Sequence, residues 1–184
     1  MTTPVRQRLA RILRELSLRR GEFVLASGKT SRYYLDCRQT TLHPEGAYLV
    51  GHLILDALAR RGWSPGAIGG LTLGADPVAV AASVVSYLEE RPIPAFLVRK
   101  KAKEHGTRRQ IEGAPPAGTA VVLVEDVITT GGSTLQAAEA CRAAELPILG
   151  AVGLVDREEG GREALAREGI ALEALFTASE LLAD

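Results

Sequence analysis

The chain has 184 residues, 46% of them apolar and 24% charged, which suits one globular domain burying about 70% of the surface its unfolded form exposes. Acidic and basic residues number 22 each, so no global charge favours nucleic acid, and attraction for a charged ligand has to be local. The charged N-terminus does not read as a signal peptide, no apolar stretch is long enough for a membrane span, and Cys37 and Cys141 lack paired spacing, which argues for free buried thiols in a reducing cytoplasm.

Residues 5–18 carry Leu9, Ile12, Leu13 and Leu16 at helical spacing. A short strand at 22–25 leads into Ser27-Gly28-Lys29-Thr30-Ser31, a turn by composition, and strand character resumes from Tyr33 to Asp36. Residues 44–60 predict a helix, with Val50, Leu53, Ile54, Ala57 and Leu58 on one face and Pro44 in its first turn. His43 reads as a loop residue and His52 as a packed or surface one with no partner in sight. A buried strand at 67–71 follows, then the turn Thr72-Leu73-Gly74-Ala75, with Asp76 expected to cap an alanine- and valine-rich helix running to about Glu89. Further strands are predicted at 94–98, 120–124, 148–155 and 171–176, with helices reaching Ala144 and spanning 161–167. Thr177 and Glu180 form a capping box at the last helix. Strands alternating with helices predict an α/β fold: a mostly parallel, twisted sheet with helices on both faces, in a single domain over residues 1–184. Right-handed crossovers gather the turns at 72–76, 126–134 and 156–157 along one edge, where they line a crevice.

The second of these turns carries the most chemistry. The apolar strand at 120–124 delivers Glu125 and Asp126, and Val127-Ile128-Thr129-Thr130-Gly131-Gly132-Ser133 leads into a helix. Two carboxylates can accept hydrogen bonds from ribose hydroxyls. Hydroxyls and amides of the turn can donate to a phosphate at the helix N-terminus, and Gly131 and Gly132 permit positive φ and close backbone approach. A Walker A loop would need a lysine after its last glycine, and a dinucleotide fingerprint would need three spaced glycines; neither is present. Acids at strand ends and small polar residues at helix starts are also common without any ligand.

The third feature is a cationic run. Of the 22 basic residues only Lys29, Lys100, Lys101 and Lys103 are lysines, three of them within four positions. Such local use of a compact ammonium suits a point charge better than a guanidinium fork. Residues 99–109 hold six cations against one acid, besides His105, with no apolar periodicity, so the stretch is expected as a mobile loop or frayed hairpin. It also fits a solvated basic surface; a nucleic-acid patch is disfavoured by the lack of aromatics. Arg157, at a strand end, suits a planar carboxylate held in bidentate fashion, and equally a surface ion pair.

The segment from Glu125 to Ser133 resembles the signature of type I phosphoribosyltransferases, and its wording is most similar to the orotate phosphoribosyltransferases. The resemblance extends from about residue 5 to the C-terminus, with the signature, the basic loop and an N-terminal hood over the base (residues 1–40, around Phe23 to Asp36) in the expected order. It implies transfer of phosphoribosyl from 5-phosphoribosyl-1-pyrophosphate (PRPP) to orotate, giving orotidine 5′-monophosphate and pyrophosphate in pyrimidine biosynthesis. It further implies that Arg99, Lys100, Lys103 and His105 contact pyrophosphate, with Lys103 tied most closely to catalysis alongside Glu125 and Asp126. Val127, Ile128, Thr129, Thr130, Gly131, Gly132 and Ser133 bind the remainder of PRPP, and Thr129 and Arg157 touch orotate, with Lys29 a candidate beside them. Mg2+ is implied as cofactor, held mainly by PRPP without a dedicated protein site. A homodimer sharing its active sites across the interface is implied as well. Partners in nucleic acid or membrane are not expected. Several members of the family carry lysines where this chain has Ala26 and Gly74. A purine-specific transferase, a PRPP-sensing regulator and an RNA-binding protein are the competing functions; the hood, the basic loop and the absence of spare length for a DNA-binding extension argue against the first two.

Overall fold

The four residues Val121 to Val124 are apolar at every position because both faces of their strand are covered. Val122 and Val124 join one hydrophobic core, Val121 and Leu123 the other, as the two-residue period of a strand requires. The structure, a computed structural model, describes residues 2–24, 28, 30–101, 110–113 and 115–183.

Helix α1 (Thr2–Ile12) ends in a wider, π-helical turn, Leu13–Ser17, and strands β1 (Leu18–Val24) and β2 (Thr30–Leu35) pair antiparallel as a separate two-stranded sheet. The predicted helix over 5–18 is thus shorter as an α-helix, and the first strand begins earlier than the expected residue 22. Ser17 and Thr40 share a buried 2.7 Å hydrogen bond between their hydroxyls, which fastens this turn to α2 (Arg38–Thr41).

Helix α3 (Pro44–Arg61) has its proline in the first turn, as predicted, and closes at Gly62 with φ +65. The remaining elements are β3 (Ala67–Leu71), α4 (Ala75–Leu88), β4 (Ala95–Val98), β5 (Ile111–Glu112), β6 (Val121–Ile128), α5 (Gly132–Ala143), β7 (Ile148–Asp156), α6 (Gly161–Arg167), β8 (Leu172–Thr177) and α7 (Ala178–Leu182). Six strands form the main sheet in the order β5-β4-β3-β6-β7-β8, parallel throughout except for β5, which pairs antiparallel with β4 at the edge. Helices α1, α3 and α4 cover one face, and α5 and α6 the other. A Cβ at Gly51 would come within 2.6 Å of the Ala81 carbonyl oxygen, so the glycine sets how closely α3 approaches α4.

Three expectations need correction. Asp76 does not cap α4: the helix begins at Ala75, with no side-chain cap, and Asp76 lies inside its first turn. Strand β6 runs past Val124 to Ile128, so Glu125 and Asp126 are strand residues instead of the residues following one. His52 has partners, its Nδ1 lying 3.1 Å from Glu89 Oε1 and its ring meeting Tyr48 edge-on at 4.4 Å. The capping box stands: Thr177 Oγ1 accepts from the Glu180 amide at 3.2 Å. No helix among the described residues is long and apolar enough to cross a membrane.

Candidate active site

In a parallel sheet, the turns leaving the strand C-termini converge where adjacent crossovers diverge in direction. Here β3 and β6 are neighbours whose following helices, α4 and α5, lie on opposite faces. A cleft of about 1130 Å³ opens at that point. It is lined by Thr72, Leu73 and Gly74 after β3, by Glu125, Asp126, Val127, Thr129 and Ser133 from β6 and its turn, and by Arg157 after β7. The three turns named from the sequence do share one crevice. Arg99, Lys100 and Lys101, leaving β4, form another wall.

The carboxylates sit at the floor. Asp126 Oδ1 accepts from the Val127 amide at 2.8 Å, while Glu125, 5% exposed, leaves Oε2 buried with no hydrogen-bond partner. Burial, reinforced by the negative charge of Asp126, pushes the Glu125 carboxyl from 4.5 up to about 9. Two carboxyls so placed resist ionising together, which favours one proton shared between them. An orphaned buried oxygen beside a second carboxylate is the arrangement that neighbouring hydroxyls of a sugar would satisfy.

The turn beyond is built as an anion cradle. Gly131 adopts φ +82 directly before α5, and a shallow notch beneath it is lined by Glu125, Val127, Ile128, Thr129, Gly131, Gly132, Ser133 and Thr134. Gly132 needs no positive φ, contrary to expectation; it opens the helix. Thr130 is exposed and lines neither cleft nor notch. The start of α6 presses against this turn: a Cβ at Gly161 would meet the Thr129 carbonyl oxygen at 2.5 Å.

Strands β4 and β5, which flank the basic run, pair antiparallel. Arg99 and Gln110 exchange two bonds, the Arg99 amide to the Gln110 carbonyl at 2.9 Å and Gln110 Nε2 to the Arg99 carbonyl at 3.0 Å. Arg99 also lies 3.5 Å from Glu112. Gln136 of α5 donates to the Lys100 carbonyl at 2.9 Å, tying the root of the basic segment to the helix that follows the phosphate-type turn. Lys103, His105 and Lys29 lie outside the described residues.

No family model matches the chain. The orotate phosphoribosyltransferase of Aquifex aeolicus is 49% identical over 180 residues, 96% of this chain and 97% of the relative. That of Nostoc sp. is 46% identical across 96% of this chain and 85% of its own length. The chain belongs to the orotate phosphoribosyltransferase family. Among solved structures, the Mycobacterium tuberculosis orotate phosphoribosyltransferase complexed with PRPP matches at TM-score 0.82 and 38% identity, covering 97% of this chain and 99% of the other. The Fe(III) dicitrate complex of the same enzyme matches at 0.87 and 41%, over 97% and 99%. Adenine phosphoribosyltransferase from Leishmania donovani, at 0.69 and 19% identity, shares the fold alone.

Several cleft residues of this orotate phosphoribosyltransferase relative fall within the expected hood, although the sequence does not single them out. Tyr34, Leu35, Asp36, Cys37 and Arg38 bring the end of the hood hairpin into the wall. Asp36 pairs with Arg38 at 2.8 Å, and that guanidinium holds its carboxyl below the usual range. The signal was present as Asp36-Cys37-Arg38 at the end of a predicted strand, but nothing in the spacing said that the end of this hairpin reaches the crevice of the main sheet. The Arg157 guanidinium lies 4.9 Å from the centre of the Tyr33 ring, so hood and sheet meet at that arginine.

Proposed function

We propose that the chain transfers phosphoribosyl from PRPP to orotate, releasing pyrophosphate and orotidine 5′-monophosphate. The observation that carries this reading is the convergence of the Glu125–Asp126 pair, the glycine turn and Arg157 on one cleft, in a chain nearly half identical to the Aquifex enzyme over almost its full length. Glu125 and Asp126 would orient the ribose hydroxyls. As the bond to pyrophosphate breaks, C1 would take on positive charge, and the negative charge carried by the pair would favour it. The turn from Thr129 to Ser133 would hold the 5′-phosphate, so binding energy remote from C1 positions the reacting carbon. Arg157 and Thr129 would face orotate, with Lys29 beside them. Arg99, Lys100, Lys103 and His105 would meet the pyrophosphate, and closure of that segment would exclude water from the activated sugar.

Mg2+ fits as cofactor. Among the described residues no three His, Cys, Asp or Glu side chains stand together as a metal site, while the free Oε2 of Glu125 and its neighbour Asp126 supply two hard oxygen donors. These two would hold the ion directly or through ribose hydroxyls, and the ion would neutralise charge on the departing pyrophosphate.

The reading includes a homodimer with shared sites. Leu42, Tyr48, Val80, Val84 and Leu88 expose an apolar groove between 51% and 72% each, and Leu73 belongs both to its rim and to the cleft. A second copy seated there would abut the active site. Buried, unpaired Cys37 and Cys141 suit the cytoplasm.

Absorbance tests the reaction. With PRPP, Mg2+ and protein, the orotate band should fall, and omission of PRPP should leave it constant. A constant band in the complete mixture sinks the proposal.

A further inference from the structure

Arg157 is held on two sides. Its side chain is 8% exposed, Nη2 lies 2.8 Å from Glu159 Oε1, and its face rests on Tyr33 at 4.9 Å. Its Nε is buried without a partner. A guanidinium with so little freedom presents its remaining N–H edge in one orientation only.

The turn that supplies Glu159 is itself fastened. Asp156, 3% exposed, accepts from the Glu158 amide at 2.9 Å and meets Arg162 at 3.3 Å. Glu158 adopts φ +61, and its carboxylate accepts from both the amide and the hydroxyl of Ser179, at 2.9 and 3.1 Å. This pinned backbone aims the Glu159 side chain back at Arg157, two residues earlier. The Glu158 carboxylate, spent on Ser179, is unavailable for that task.

We infer that Glu159 is a positioning residue for the second substrate: it takes one of the two N–H groups of Arg157 Nη2, so that the remaining two-donor edge of the guanidinium meets the orotate carboxylate in line. The inference rests on the reading that Arg157 receives that carboxylate. Tyr33 supplies the flat support and Glu159 the rotational stop. Without the stop, the guanidinium can swing about its long stem, and the bidentate geometry is present for only part of the time.

The test is steady-state kinetics on the full-length protein with each substrate varied in turn. Glu159→Ala should raise the KM for orotate about ten-fold, the equivalent of roughly one weakened charge-assisted hydrogen bond. Turnover at saturation and the KM for PRPP should stay within about two-fold, because neither depends on the carboxylate contact. Glu159→Gln keeps the hydrogen bond and should restore most of the orotate KM. An unchanged orotate KM in Glu159→Ala, an equal rise in both KM values, or a Gln variant no better than Ala would each overturn the inference. Arg157→Ala separates the two layers. If it raises the orotate KM while Glu159→Ala does not, only the positioning role fails; if it leaves the orotate KM unchanged, the reading of Arg157 fails beneath it.

Discussion

A methyl group on Gly74 would come within 2.7 Å of Glu125 Oε1, closer than any relaxed carbon–oxygen contact. The backbone at 74 has ordinary helical angles, φ −61 and ψ −42, so conformation does not call for glycine there; any side chain at 74 instead requires the two carboxylates to turn aside. The bare turn after β3 lets both carboxylates stand upright over it.

Gly74→Ala should therefore displace the Glu125 and Asp126 side chains while leaving the sheet intact. Overpacking of this kind costs about 1–3 kcal/mol where the neighbours cannot yield. Expressed at the ligand, that is a rise of roughly five- to a hundred-fold in the KM for PRPP, with the orotate KM little changed. Kinetics with PRPP varied would read it directly. An unaltered PRPP KM would mean that the pair is free to move aside.

Glu125 gives a pH dependence with a defined sign. Its folded pKa of about 9 lies above the free value of 4.5, so between those values the folded chain binds more protons than the unfolded one. Its contribution to stability is full below about pH 4.5 and is lost progressively as pH rises towards about 9. The slope cannot exceed about 1.4 kcal/mol per pH unit for one proton. Other carboxyls act in the opposite direction, Asp36, Glu45 and Glu180 all being held low by arginines. The comparison is therefore between wild type and Glu125→Gln. Denaturant midpoints across this range should show the wild type losing stability relative to the variant as pH rises. Parallel curves would refute the shared proton.

Much of this site was legible because strand and turn chemistry are local. Burial on both faces makes Val121 to Val124 apolar without alternation, and the turn's hydroxyls and glycines lie within one short window. Pro44 and Thr177 announced their helices because caps are read within four residues. The failures are equally physical. Asp76 resembles a cap, but the chain leaving β3 is already helical at Gly74, a consequence of where α4 packs. β5 has only two residues, too few to show a period, and exists because β4 offers an edge. In α4 the alanines and valines go all the way round, so the buried Val78 and Val85 cannot be told from the exposed Val80 and Val84 by pattern. The apolar groove was invisible for that reason.

Lys103→Ala should lower turnover by about a hundred-fold, the usual scale for removing one group aimed at developing charge, while changing PRPP affinity by a few-fold at most. The expectation comes from the motif, since Lys103 lies outside the described residues. Single-turnover rates alongside equilibrium PRPP binding separate the two effects. Equal losses in both would make the lysine a binding residue only.

The groove prediction follows from the number of exposed apolar side chains on one wall of α4. Val84 is 55% exposed, and Leu88, one turn on, 65%. In an interface related by a two-fold axis, each substitution enters twice, so Val84→Asp brings two carboxylates into the same apolar contact. An unpaired buried charge costs several kcal/mol, and two of them should weaken association by at least about a hundred-fold. Light scattering at micromolar concentration should then find a monomer. The site lies against the groove rim at Leu73, so turnover should fall with it and recover in part as protein concentration is raised. A variant that remains dimeric would place the partner on another face. A monomer of unchanged specific activity would show that each cleft is complete within one chain.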